Sequence, residues 1–567
     1  LLVCCLLSVL RLQAAADVPQ EAAPDFGPNV LIFEPAQAGA QERIDAVFKL
    51  QEAAQFGTER KALLFKPGKY ALRVPVGFYT QVSGLGLNPD DVDIQGSLIA
   101  TAAWMRYNAT CNFWRCVENL SVTPLGEDKD TTWSVSQGTA LRRLHLRGGL
   151  RLSEKGWSSG GFLADCLFDG TVKAGTQQQW FSRNSRWQAW ERSHGWNMVF
   201  VGCPEAPKDP WPEFPITAVT QAPVVQEKPY LHVDAAGRYF VRVPALHAEP
   251  SAGTHWEADA RDGRSIPLSE FHVARADRDD AASLNRALAV GRHLLLTPGQ
   301  YRLSEPLVVV KPGTIVLGLG YATLIPVQGT EALVVDQPEG VILSGLLIDA
   351  SLPASRNLVR IGRAGQRSGS ALAPTVVHDL YTRVGGGIPG AAESMVEIHA
   401  SHVIGDNLWL WRADHGNGVA WDRNPNKVGL LVSGDDVTTY GLAVEHTQEF
   451  QVLWKGERGR VFFYQSEMPY DPPSQAAWGA GGVKGFASYK LAEGVSAHEA
   501  WGVGVYCIFH HGPIVADNGI EAPTGPGIRM HHLFTFKLGG RQPGSGILHV
   551  ISGRGDPVVE KRVSHVE

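Results

Sequence analysis

The sequence states the same short passage twice. IDAVFKLQEAAQFG, from Ile44, leads into ALLFKPGKY and then TQVSGLG, while DDAASLNRALAVG, from Asp279, leads into HLLLTPGQY and then TIVLGLG. Each copy reads helix, strand, Pro-Gly turn, tyrosine, strand, Gly-x-Gly. Pro67 matches Pro298, and Gly84 matches Gly318. Proline sets one φ of such a corner and glycine relieves another. A duplication on this scale predicts two units of one architecture, and 567 residues can give each unit its own core.

The remaining text consists of short apolar runs, such as GFLADCLF, GVILSGLLIDA, VGLLVSG and VFFYQS. Most are four to eight residues long, rich in aliphatic and aromatic residues, and Gly, Asp or Asn often lies within or beside them, which reads as many short strands. Stacked coils of short strands bury a continuous apolar column, and an opening helix would cover the first exposed edge. The expected fold class is therefore all-β, two tandem parallel β-helix units with short N-terminal cap helices. A propeller would show a blade repeat of about 40–45 residues, which is missing. A β-sandwich does not account for the repeated cap helix and corner. The expected boundaries are 28–204 for the first unit, 205–268 for a Pro-rich connector with a hairpin at PYLHVDAAGRYFVRVP, and 269–567 for the second unit.

The first residues, LLVCCLLSVLRLQAAADVPQE, resemble the apolar stretch and small-residue end of a secretory leader, expected over 1–16. Arg11 interrupts the run, and a membrane anchor needs about 20 apolar residues. The expectation is a secreted protein without an anchor, acting as a monomer. Outside the leader the cysteines are Cys111, Cys116, Cys166, Cys203 and Cys507, so at least one is expected to be free, and Cys111 and Cys116 are close enough in sequence to pair. Asn108 and Asn119 each begin an N-x-S/T sequon and are candidate glycosylation sites. Net charge is −6 with no basic stripe, which argues against a nucleic-acid partner.

Sixteen tryptophans offer flat faces of the kind that stack on sugar rings. Polar and aromatic residues crowd the second half in WLWRADHGNG, VEHTQEFQVLW, YQSEMPYDPP and HEAWGVGVYC. Glu445 and Glu467 are 22 residues apart, each near the end of a strand run. One coil takes roughly twenty to thirty residues, so neighbouring coils would bring the two carboxylates to one groove. Glycosidic-bond hydrolysis needs such a pair, one acid for the leaving oxygen and one carboxylate for water or direct attack. By spacing alone the signal is weak among 57 acidic residues; a turn acid at 467 and an ion-pair partner at 445 are the plain alternatives.

The two-unit plan and these motifs resemble glycoside hydrolase family 55, whose members pair two right-handed, pectate-lyase-like β-helices and include inverting β-1,3-glucanases. EHTQEFQVLW is similar to the family's EHH-x-x-Y-Q-Y segment, and QSEMPYDPP to its Q-T-E-T-P-Y-Y segment, at matching spacing. The resemblance implies that Glu467 is the general acid and that Glu445 places the attacking water, with Gln448 or Ser466. It also puts His446, Gln465 and Tyr470 in the substrate site. Trp409, Trp411, Trp478 and Trp501 are candidate sugar walls, and Asp414 is a candidate groove polar group. Thr447, Met468 and Asp471 depart from the pattern. The implied substrate is a β-1,3-glucan, attacked from the chain end, and inversion calls for carboxyls about 6.5–9.5 Å apart.

Two rivals share the fold. A polysaccharide lyase would use Ca²⁺ and a basic residue against a uronate; SGDD offers two adjacent acids, but no three-carboxylate cluster with a partnered base stands out. A non-catalytic carbohydrate-binding protein would keep the tryptophans without needing Glu467. No cofactor or metal is expected, because His510–His511 and His531–His532 are adjacent pairs whose side chains would point to opposite faces of a strand.

Overall fold

Both copies of the repeated passage fold alike. This computed structural model describes residues 24–125, 129–191, 195–539 and 543–567; the expected leader at 1–16 lies outside them. The first cap helix, Ala40–Gln51, buries Ala40, Ile44, Val47 and Gln51 along one face. The second, Ala281–Ala289, buries Ala281, Leu284, Ala287 and Leu288. It starts from a reciprocal cap in which Asp280 and Ser283 each accept the other's backbone N–H. Beyond each helix two strands pair in parallel, with Leu63 opposite Val82 and Leu295 opposite Leu317.

The matching tyrosines tie the two corners in the same way. The Tyr70 hydroxyl donates to the carbonyls of Lys66 and Phe33, and the Tyr301 hydroxyl to those of Thr297 and Ala274. Each closes its own turn four residues back and ties it to the coil before. The turn glycines allow that approach, since a Cβ on Gly68 would stand 2.3 Å from Pro35 Cγ and one on Gly299 2.7 Å from Ala276 Cβ.

The molecule is an all-β parallel β-helix structure. The first unit forms a branched 16-stranded sheet from Val30–Phe33 to Ile216–Val219. The second is more regular, with a 12-stranded sheet starting at Phe271–Ala274 and a 9-stranded sheet from Leu307–Val309 to Gly546–Ile551. A final strand, Val563–Val566, runs antiparallel against Ile528–Lys537 and covers that edge. Between the units, Tyr230–Val233 and Tyr239–Val243 make an antiparallel hairpin joined by Arg264–Pro267. Among the described residues no helix is long and apolar enough to cross a membrane.

A column of bends sets which side chains face the other unit. Leu380, Leu408, Leu442 and Tyr464 stack in register across the 12-stranded sheet. The residue before each has a positive φ: Asp379, Asn407, Gly441 and Phe463. The first unit bends similarly at Asn119, Arg143, Asp165 and Asn184. Leucines fill the column while bend residues turn outward toward the seam. Asn119 is fully buried there and donates to the carbonyls of Gly84 and Gly86. This corrects its reading as a glycan acceptor, since the nitrogen that would carry the sugar is already used inside the protein.

Two kinds of contact hold the units together. An aromatic cluster joins Phe113, Trp114 and Phe162 of the first to Tyr381, Trp409 and Trp411 of the second. Beside it runs a buried ionic seam. Arg142 grips Asp379 and reaches Asp406 at 2.7 Å. Arg183 binds Glu227 at 2.6 Å and the same Asp406 at 3.0 Å. Lys228 of the connector pairs with Glu118 and, at 2.9 Å, with Asp379. Burial works against ionisation of Asp379, yet Arg142 and Lys228 outweigh it and hold the carboxyl well below its usual range. All five cysteines of the described residues are free thiols, so Cys111 and Cys116 do not pair.

Candidate active site

The strands Thr438–Glu445 and Gly459–Glu467 lie side by side in parallel, with Leu442 opposite Tyr464 and Ala443 opposite Gln465. That offset of 22 is the spacing of the two acids, so both reach the same end of neighbouring strands. The His446 N–H donates to the Glu467 carbonyl at 2.8 Å, fixing the two ends together. The strand before, Val403–Arg412, places Trp409 opposite Ala443 and Trp411 opposite Glu445.

These strand ends open into a pocket of about 240 Å³. Glu445, Glu467, Trp411, Asp414, His446 and Tyr470 line it from the second unit. Thr110, Cys111, Phe113, Gln137, Ser159, Gln178 and Trp196 line it from the first. The site is thus built across the seam.

The two acids have different surroundings. Glu445 is 3% exposed and fully engaged, one oxygen accepting from Gln137 Nε2 at 2.8 Å and the other from Trp409 Nε1 at 2.9 Å. Burial pushes it up to about 7, while the Trp409 and Gln137 donors restrain the rise and the Asp414 charge adds to it. Among the described residues, Glu467 has one side-chain donor, the Tyr470 hydroxyl. Desolvation raises its carboxyl well above the usual range, and the facing charges of Glu445 and Asp414 raise it further. Asp414 is ionised: burial opposes its charge, but the bond from His415 at 2.8 Å and nearby His446 hold it at about 2. One pocket therefore holds two carboxyls pushed upward, Glu467 and Glu445, beside a third, Asp414, that is held down.

Over 94% of its length the chain is 43% identical to the exo-beta-1,3-glucanase of Streptomyces sp. (strain SirexAA-E / ActE), covering 87% of that protein. This chain belongs to the Lam55 family, glycoside hydrolase family 55. The LAM55 pectate lyase-like domain model matches residues 271–467, a span that ends on Glu467. The structure of sacteLam55A from Streptomyces sp. SirexAA-E superposes with a TM-score of 0.92 at 42% identity, over 96% of this chain and 98% of that one. A variant of sacteLam55A in complex with glucose superposes with a TM-score of 0.91 at 42% identity, with the same coverage of both chains.

Within this Lam55-family pocket, Glu445, Glu467, His446, Tyr470, Trp411 and Asp414 come together as the sequence suggested. Trp409 plays a different part from the sugar wall expected of it: it is buried behind Glu445 and donates to it. Gln465 is buried at the same depth, beside a small internal cavity rather than the pocket itself.

Four residues lie elsewhere and correct the sequence reading. Gln448 is held by Asn426 N and Trp421 O. Ser466 points into the second unit and bonds Ser488 at 2.5 Å, because alternation along the strand sends it opposite to Glu467. Trp478 packs on Phe509 in the core and donates to Gln448 O. Trp501 stacks on His531 outside the pocket. Asn108 is half-buried and accepts from Thr110 N.

The first-unit residues were missed entirely. Gln137 stands 308 residues from Glu445, and the string SQG around it carries no motif. What places it is close approach: a Cβ on the next residue, Gly138, would sit 2.8 Å from the Trp409 ring. Its φ of 68° is one that glycine adopts at little cost.

Proposed function

We propose that this protein is a secreted, inverting, exo-acting β-1,3-glucan hydrolase in which Glu467 is the proton donor and Glu445 the base that holds the attacking water. The observation that carries this is the pair of carboxyls at adjacent strand ends in one pocket, Glu467 against the Tyr470 hydroxyl and Glu445 clamped by Gln137 and Trp409. Membership of the Lam55 family supports the substrate class, and the relative named an exo-beta-1,3-glucanase supports attack from the chain end.

A terminal glucosyl ring enters the pocket beside Trp196, over a floor made by Trp411 and Phe113, whose rings pack on each other at 5.8 Å. Glu467 gives its proton to the glycosidic oxygen as the C–O bond breaks, and the Tyr470 hydroxyl steadies the carboxylate that remains. On the far side of the ring, water loses its proton to Glu445 as its oxygen bonds to the anomeric carbon. The donation of Gln137 to Glu445 fixes the carboxylate plane. Asp414, ionised and facing the same space, accepts sugar hydroxyls and helps keep Glu467 protonated before reaction. The lyase and binding-only readings have no comparable support.

The deciding experiment is laminarin hydrolysis followed by proton NMR in the first minutes. Release of α-glucose is expected, with Glu467→Gln losing turnover. Release of the β-anomer would overturn inversion, and full turnover by Glu467→Gln would overturn the acid assignment.

A further inference from the structure

The turn that follows Glu467 is tied to a buried cation. Arg412 ends the strand that carries Trp409 and Trp411, and its side chain is 1% exposed. Each of its five N–H groups has an acceptor. Nε donates to Asn424 O at 2.9 Å. Nη1 donates to His446 O at 3.2 Å and to Asp471 Oδ1 at 2.9 Å, and Nη2 to Ala420 O at 3.2 Å and Asp471 Oδ2 at 2.9 Å. Three acceptors are neutral carbonyls, so Asp471 is the counter-charge in this set. A parallel two-bond pair of this kind fixes direction as well as distance.

Asp471 is the neighbour of Tyr470, whose hydroxyl meets the Glu467 carboxyl. The same Tyr470 ring sits edge-on to His446 at 4.4 Å, and its carbonyl accepts from His510 N at 2.8 Å. Arg412 therefore holds both sides of the contact, His446 through its carbonyl and Tyr470 through the adjacent Asp471. We infer that Asp471 is a positioning residue for proton donation: its ion pair with Arg412 holds the turn on which the Tyr470 hydroxyl reaches Glu467. Asp471 is not among the residues that line the pocket. Its effect therefore falls on turnover and not on sugar binding. A hydroxyl–carboxylate bond is lost within about 1 Å of displacement, so a small slip of the turn is enough.

This inference rests on the reading of Glu467 as the acid, and the test separates the two. Asp471→Asn, Tyr470→Phe, their double variant and Glu467→Gln are compared on laminaritriose, each at the plateau of its own pH profile. Asp471→Asn is expected to lower kcat about tenfold with KM within about twofold, and the double variant to be no worse than the weaker single by more than about twofold. Losses that multiply to about a hundredfold, or a raised KM with unchanged kcat, would overturn the positioning role. A structural role alone would lower the thermal midpoint and give multiplying losses. If Asp471→Asn does not fold, Asp471→Glu keeps the charge on a longer arm and carries the same cycle, with the same two outcomes. Turnover retained by Glu467→Gln would instead remove the acid reading.

Discussion

The two β-helix units share an opening but divide the labour. The second is the regular one: its coils add strands in unbroken order to two long sheets, and both acids sit at matching ends of neighbouring strands. The first is branched, with shorter strands, and lines the pocket with neutral groups such as Gln137, Ser159 and Thr110. Regular stacking suits the charged pair, because a fixed register sets the spacing of groups that must act on opposite sides of one bond. The irregular unit can vary its loops without disturbing that spacing. Chemistry therefore lies with the second unit, and shape and hydrogen-bond tuning with the first.

The largest effect should come from the second unit alone. Glu467→Gln is expected to lower kcat on laminarin by about 10³-fold, within the range for a lost general acid. An aryl β-glucoside with a good leaving group should lose far less, since it needs little protonation. Equal losses on both substrates would remove the assignment.

Next comes the seam that joins the units. Arg142→Met leaves Asp379 short of a partner and should cost about 3–5 kcal/mol, read by denaturant titration. The sign of its pH dependence follows from Asp379, whose folded pKa is depressed. Its contribution is present above the unfolded value of about 3.9 and is lost as pH falls toward the folded one. Wild type should therefore lose stability on acidification more steeply than Asp379→Asn. Equal slopes would show that the seam does not carry the charge described.

A smaller effect tests the first unit's share of the chemistry. Gln137→Ala removes a donor to a carboxylate and should lower kcat/KM about ten- to a hundredfold. Because that donor favours the ionised form, the pKa of Glu445 rises from about 7 and the acidic limb of the kcat/KM profile moves to higher pH. A limb that stays in place would confine catalysis to the second unit. The smallest effect belongs to Trp501→Ala, expected within about twofold of wild type because the ring stacks on His531 outside the pocket. Trp411→Ala, by contrast, should raise KM clearly.

What the sequence revealed depended on distance along the chain. The cap helices and Pro-Gly-x-Tyr corners are local, so both units could be read from a dozen residues each. The two acids were legible because, in stacked coils, sequence spacing becomes register. Gln448 and Ser466 misled for the same reason: they adjoin the acids in sequence, but strand alternation and turn geometry aim them elsewhere. Asn119 carries an intact sequon, and only the three-dimensional bend shows its amide to be occupied. Gln137 left no trace, because its role arises where two units separated by hundreds of residues come within reach.

The ionic seam has a kinetic consequence. Swinging the units apart would strip Arg142, Arg183 and Lys228 from Asp379 and Asp406 of the second unit and expose the aromatic cluster at the same time. That is too costly a motion to repeat at every turnover. The slot must already have its final width when sugar arrives, so association should be a single diffusive step, with no slow closing phase behind it.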